Sequence, residues 1–209
     1  MTHGDSMTHG DSMTQRFAPA ALLAAAVLAA PAASAEAVKY RIDPSHTVVL
    51  ATWNHFGYSN PSANFGGVSG TIVYDAEAPE NSSVEVVLPM SGLDSFVPKL
   101  DEHLRSPDFF DAEKYPQATF RSTAVKALGD GRFQVEGVLD LHGVQKPVVL
   151  DAKLNKAAPH PMSKKPVVGF DATAMLKRSD FGIDRYVPMV GDEISLRITT
   201  EAGAEAATE

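Results

Sequence analysis

The chain has 209 residues, is 44% hydrophobic and carries a formal net charge of −8. That suits one soluble globular domain with an ordinary core, and it excludes the basic face that a nucleic-acid binder needs. There is no cysteine, so no disulfide staples the fold and no lipid can be attached through a thiol.

The N-terminus reads as an address rather than as fold. MTHGDS occurs at Met1 and again at Met7, which sets residues 1–12 apart as a duplicated leader foreign to the native protein. Residues 13–35 read as a secretory signal. Arg16 supplies the positive start, Phe17 to Ala30 an apolar stretch too short to span a bilayer, and Ala33-Ser34-Ala35 a small-residue cleavage site. The expectation is export to the periplasm, with one domain over 36–200 and a disordered Ala/Glu/Gly-rich tail over 201–209.

Within that domain nearly every segment alternates. Val38, Tyr40 and Ile42 form a half-buried strand, and Asp43-Pro44-Ser45 turns it. From Thr47 to Gly57 one face carries Val49, Ala51, Trp53 and His55; it is read as inward because Thr52 and Asn54 are polar. Phe65 to Asp75 follows, with Val68, Gly70, Ile72 and Tyr74 on one face, and then Val84, Val86 and Leu88.

Leu100 to Phe120 breaks the pattern. Val97, Leu100 and Leu104 recur at helical spacing, Pro98 sits in a first turn behind Ser95 as a cap, and Pro107 ends the helix. Phe109 and Phe110 follow at once. A short helix with an apolar underside and trailing phenylalanines predicts a lid or plug on β-structure.

Alternation then resumes. Phe120, Ser122 and Ala124 face in, Gly129-Asp130-Gly131 signals a hairpin, and Phe133, Val135, Gly137, Leu139 and Leu141 form an inward row. His142-Gly143 turns the chain into Val148, Leu150, Ala152 and Leu154. After a loop over 157–165 come Val168, Phe170, Ala172, Ala174 and Leu176. The polar segment LKRSDFGIDR precedes a last strand with Ile194, Leu196 and Ile198 inward. Eight or nine short-linked antiparallel strands suit an up-and-down barrel or a two-sheet sandwich. The small inward residues, Ala51, Gly70, Ala152 and Ala172 among them, leave room unfilled and favour a barrel with an apolar cavity.

Reactive constellations are weak. Gly67-Val68-Ser69-Gly70 approaches a nucleophile elbow, but Thr71 stands where its closing glycine belongs. There is no HExxH, and His46 and His55 fall on opposite faces of one strand. His103, His142 and His160 lie on a helix, a turn and a loop. Neither a catalytic residue nor a metal site is assigned. Lys177, Arg178, Asp180, Asp184 and Arg185 read as a solvated loop with surface ion pairs, and Arg105 as a structural tie near Asp108 and Asp111.

HLRSPDFFDAEKYPQATF (103–120), DLHGVQKPVVL (140–150) and LKRSDFGI (176–183), with YRIDPSHT, WNHFGYS and GTIVYD before them, resemble the YceI-like family of secreted, lipocalin-like proteins. Ala51 and Trp53 depart from it, standing where a larger apolar residue and an aliphatic one are usual. The resemblance implies an all-β, eight-stranded antiparallel barrel with one short helical insert, whose apolar channel holds an isoprenoid chain. The expected channel residues are Trp53, His55, Ile72, Leu104, Phe110, Phe120, Leu139, Phe170 and Ala172. The expected role is non-enzymatic: a periplasmic carrier or scavenger of a quinone, prenyl phosphate or similar amphiphile, with no cofactor beyond that lipid. A secreted enzyme on such a lipid, and an interaction module with a filled barrel, are the alternatives. The sequence leaves monomer and homodimer both open.

Overall fold

Eight legs of chain run up and down a closed barrel, and the first three are each broken once. The first leg is β1 (Val38–Ile42) and β2 (Val48–His55), the second β3 (Ser62–Phe65) and β4 (Ser69–Tyr74), and the third β5 (Ser83–Pro89) and β6 (Leu93–Asp94). Five unbroken strands follow: β7 (Gln117–Gly129), β8 (Arg132–Leu141), β9 (Val144–Pro159), β10 (Pro166–Lys177) and β11 (Val190–Ala204). This computed structural model describes residues 37–205. All pairings are antiparallel, each leg pairs with the next, and β11 returns to the first leg, meeting β2 along one half and β1 along the other. Closure leaves the long strands without a free edge.

The breaks are where the alternation slips by one residue. Tyr40 and Ile42 are buried in β1, yet Val49 and Ala51 are buried in β2. The second leg slips between Phe65 and Val68, so Phe65 ends one strand and Ser69–Tyr74 is another, where a single run over Phe65–Asp75 was expected. The third slips between Leu88 and Leu93. Two of the kinks touch: the Gly66 N–H donates to the Gly92 carbonyl at 2.8 Å. A Cβ on Gly92 would lie 2.0 Å from the Gly66 oxygen. Gly92→Ala therefore has to separate two backbones, and we expect a loss of about 2–3 kcal/mol, the upper range for overpacking, read as a lower urea midpoint at unchanged slope.

A bulge in β7 between Ser122 and Ala124 corrects another expectation. Ala124 is exposed and Val125 takes the inward place, while the Ser122 hydroxyl accepts the Val84 N–H at 2.9 Å. The four last strands keep the parity read from sequence, with Phe133, Val135, Val148 and Val168 buried. His142 and Gly143 form the two-residue β8–β9 turn with φ of 56° and 73°, the doubly left-handed geometry that matches strand twist.

The helix α1 (Pro98–Arg105) begins at its proline, as expected, but Val97 stands at its cap position and Ser95 does not cap it. Instead the Ser95 N–H and hydroxyl donate to the Asp101 carboxylate at 2.7 and 2.5 Å. The Ser95 hydrogen bond holds that carboxyl below its ordinary pKa. Arg105 is a tie, as expected, but to backbone: it donates to the carbonyls of Met90 and Leu93. Leu104 is buried against the barrel.

The domain does not end at 200. β11 continues through Glu201–Ala204 with Ala202 fully buried, and Glu205 pairs with Lys39 and Arg41 at 3.2 and 2.9 Å. Barrel closure needs backbone pairing and a small side chain there, which an Ala/Gly-rich segment supplies without a hydrophobic signature. Residues 206–209, the duplicated leader and the secretory signal lie outside the described residues. The described residues all belong to one compact unit.

Candidate functional site

Two cavities lie end to end inside the barrel. The inner one, about 170 Å³, is walled by Ile72, Val84, Phe120, Phe133, Phe170 and Ala172 among others. The outer one, about 420 Å³, is walled by Trp53, Phe65, Leu100, Leu104, Phe110 and Leu176 among others. Val49, Leu88, Leu139 and Leu196 touch both and form a common collar. Taken together they fall within the roughly 300–1,000 Å³ of small-molecule sites.

The rows alternating inward build most of these walls, so their strand side chains are positioned by parity and not by a special motif, while the helix and the loops add the rest. The structure places Ile72, Phe120, Phe170 and Ala172 on the inner cavity, Trp53, His55, Leu104 and Phe110 on the outer, and Leu139 on both. Trp53 is half-buried and pairs across the ladder with Ile194. The helical insert closes one side of the outer cavity: Phe110 meets Phe65 edge-on at 5.8 Å, and its N–H donates to the Leu104 carbonyl at 3.0 Å.

The inner cavity meets Thr47, Tyr74, Ser82, Ser83 and Thr200, but histidine and arginine line the outer one alone, toward the mouth. His55 is exposed there, edge-on to Phe56 at 4.6 Å. His103 lies edge-on to Phe109 at 4.9 Å, with Nε2 3.7 Å from Asp108, which also pairs with Arg185 at 3.3 Å. Tyr186 completes the rim, under the Arg185 guanidinium at 5.2 Å.

Arg178 corrects the expected solvated loop. It is 7% exposed. Its guanidinium donates to four carbonyls, those of Gly191, Ile183, Arg185 and Val190, at 2.8–2.9 Å. Burial pushes its pKa down from the ordinary arginine value, opposed by nearby Asp192 and Asp184, and a guanidinium stays charged throughout. Beside it the Ser179 N–H and hydroxyl donate to Asp192 at 2.9 and 2.7 Å. Burial raises the Asp192 carboxyl, but the Ser179 bonds and the Arg178 and Lys177 charges outweigh it, leaving the pKa below the ordinary value. His142 braces the same segment, its Nδ1 2.9 Å from the Phe181 carbonyl oxygen. Arg178, His103 and Tyr186 all line the outer cavity, and none was assigned there from sequence. Helix and loop residues carry no strand parity from which to read their direction.

Among the described residues no cluster of three or more His, Asp or Glu is placed to hold a metal ion, and no helix is long and apolar enough to cross a membrane.

With the geometry in place, known proteins can be set beside it. The family model for the YceI-like domain matches residues 40–202. Protein YceI of Escherichia coli O157:H7 is 38% identical over 172 residues, covering 81% of this chain and 89% of that protein. Burkholderia cenocepacia BcnA superimposes with a TM-score of 0.70 at 22% identity, covering 77% of this chain and 99% of that one. A polyisoprenoid-binding domain from Saccharophagus degradans, implicated in plant cell wall breakdown, superimposes at 0.63 with 13% identity, covering 80% and 99%.

Proposed function

We infer the function from one premise: this chain belongs to the YceI-like family. We propose that it binds an amphiphile with an isoprenoid tail, tail inward and head at the mouth, and serves as a non-enzymatic periplasmic carrier or scavenger. The observation that carries this reading is the pair of apolar cavities in series whose histidine and arginine side chains line the outer one alone. Each methylene moved from water into such walls contributes about 0.8 kcal/mol, so affinity comes from the tail. The description of the Saccharophagus degradans domain as polyisoprenoid-binding supports the same ligand class.

The head is uncharged in this reading. Arg178 spends its donors on four carbonyls, and Arg185 is paired with Asp108. Among the described residues no unpaired guanidinium remains at the mouth to neutralise a phosphate, whereas His55 and His103 offer ring nitrogens to a carbonyl or hydroxyl. A quinone-like head fits better than a prenyl phosphate.

The test is organic extraction of protein purified from its own host, followed by mass spectrometry. An isoprenoid lipid is expected. Recovery of none, together with no uptake of a prenyl ligand from detergent, overturns the reading. Trp53 gives an independent check. Lining the outer cavity beside Ala51, it should emit at short wavelength, resist iodide, and be quenched saturably by an added isoprenoid quinone. Free iodide access, or no response to any isoprenoid, counts against a ligand beside the indole.

A further inference from the structure

We propose that the mouth end of the barrel is a membrane-docking surface whose aromatic tips enter the headgroup layer of a phospholipid bilayer. The proposal rests on the lipid-binding reading above. Legs alternate in direction, so connections 56–61, 95–116, 142–143 and 178–189 all fall at the mouth end. The three long ones carry Phe56, Tyr58, Phe96, Val97, Tyr186 and Met189, all exposed; Tyr58 is 92% and Phe96 71% exposed. Among the described residues the opposite end has Val38, Leu128 and Met162 as its exposed large apolar residues, with Val38 only 40% exposed. The first and third connections are joined, since the Phe56 N–H donates to the Met189 carbonyl at 3.1 Å.

These side chains are held outward by backbone that resists it. Phe56, Phe96 and Tyr186 have φ of 53°, 66° and 65°, a region bulky residues seldom adopt. Such strain persists where surrounding structure enforces it, and it concentrates at working surfaces. The Asp94 carboxylate enforces one case by accepting the Phe96 N–H at 2.8 Å.

The channel decides what covers this surface. The outer cavity opens in its midst, walled by Phe56, His103 and Tyr186, and a water-insoluble cargo has to enter there from the phase that holds it. Aromatic and apolar tips around an opening suit the interface between headgroups and acyl chains. Acids outnumber bases in these connections, so contact is driven by apolar insertion and needs no anionic lipid.

The experiment floats the chain from residue 34 onward, the compact unit that holds all the described residues, with cargo-free phosphatidylcholine vesicles. The triple variant Tyr58→Ser, Phe96→Ser, Met189→Ser changes no cavity-lining residue. It should bind at least about tenfold more weakly, because three side chains no longer withdraw apolar area from water. Leu128→Ser with Met162→Ser, at the far end, should bind like the parent. Added salt should leave binding unchanged. Parent protein that does not float, a triple variant that floats equally, or binding confined to anionic vesicles and removed by salt overturns the proposal. So does a parent dimer that the triple variant dissociates, since the tips would then face a second copy. Prenyl-quinone uptake from detergent, measured on the same samples, separates the two readings. Uptake without flotation sinks docking alone, and flotation without uptake sinks the ligand.

Discussion

Replacing Arg178 with alanine is expected to destabilise the protein by about 3 kcal/mol or more, the range for removing a buried charged donor and leaving its acceptors unpaired. The four carbonyls it holds belong to Ile183, Arg185, Val190 and Gly191, which are the two ends of the segment that forms one wall of the mouth. Without the guanidinium these oxygens turn toward water, and the segment with Tyr186 swings away. In a domain of this length each kcal/mol shifts the melting temperature by roughly 2–4 °C, so the loss should be plain in a thermal scan. Arg178→Lys should recover little, because an ammonium is a point charge and cannot span four acceptors as a planar fork does. A melting curve for Arg178→Ala that overlays the parent would show that water satisfies these carbonyls and that Arg178 is no clip.

Phe110→Asp is expected to speed ligand release about 30-fold or more while lowering the melting temperature only modestly. Phe110 lines the outer cavity and meets Phe65 edge-on, but it sits in the connection after α1 and not in a ladder strand. Removing a large apolar side chain from that wall forfeits about 2 kcal/mol of contact with a bound tail, and a carboxylate cannot be buried there without a partner. The insert should therefore lift at its Phe110 end, while the Asp101 bonds to Ser95 and the Arg105 bonds to Met90 and Leu93 keep its root in place. Stopped-flow release of a prenyl quinone, followed by Trp53 emission, reads the effect. Unchanged release removes the lid. Global unfolding makes Phe110 core instead.

Much of the cavity wall was legible because alternation is a local property. Phe133, Val135, Leu139, Phe170, Ala172, Leu196 and Ile198 lie two residues apart along unbroken strands, and a period of two sends them to one side whatever the strand pairs with. Trp53 was placed by the same rule, from the polarity of Thr52 and Asn54. Parity fails where the chain kinks. The turn at Asp43-Pro44-Ser45 marks the slip between Ile42 and Val49, but the break between Phe65 and Val68 was read through as one strand, and the bulge that exposes Ala124 depends on β8.

Residue by residue, sequence alone determined the all-β class, a helical insert starting at Pro98, most of the inward rows and the resemblance to the YceI-like family. Those follow from periodicity, from the stereochemistry of proline and glycine, and from motif order along the chain. Tertiary structure decided what depends on distant partners. It closed the barrel with Glu201–Ala204, which read as tail because its small residues carry no hydrophobic signal and pair only through backbone. It drew Ser95 to Asp101 instead of to the helix end, and turned Arg178 from a surface charge into a buried clip on four carbonyls. It also gathered Phe56, Tyr58, Phe96 and Met189, scattered over more than half the domain, at the end where the channel opens. Burial, closure and the meeting of distant loops are set by how eight legs pack around one axis, and no window of sequence contains that information.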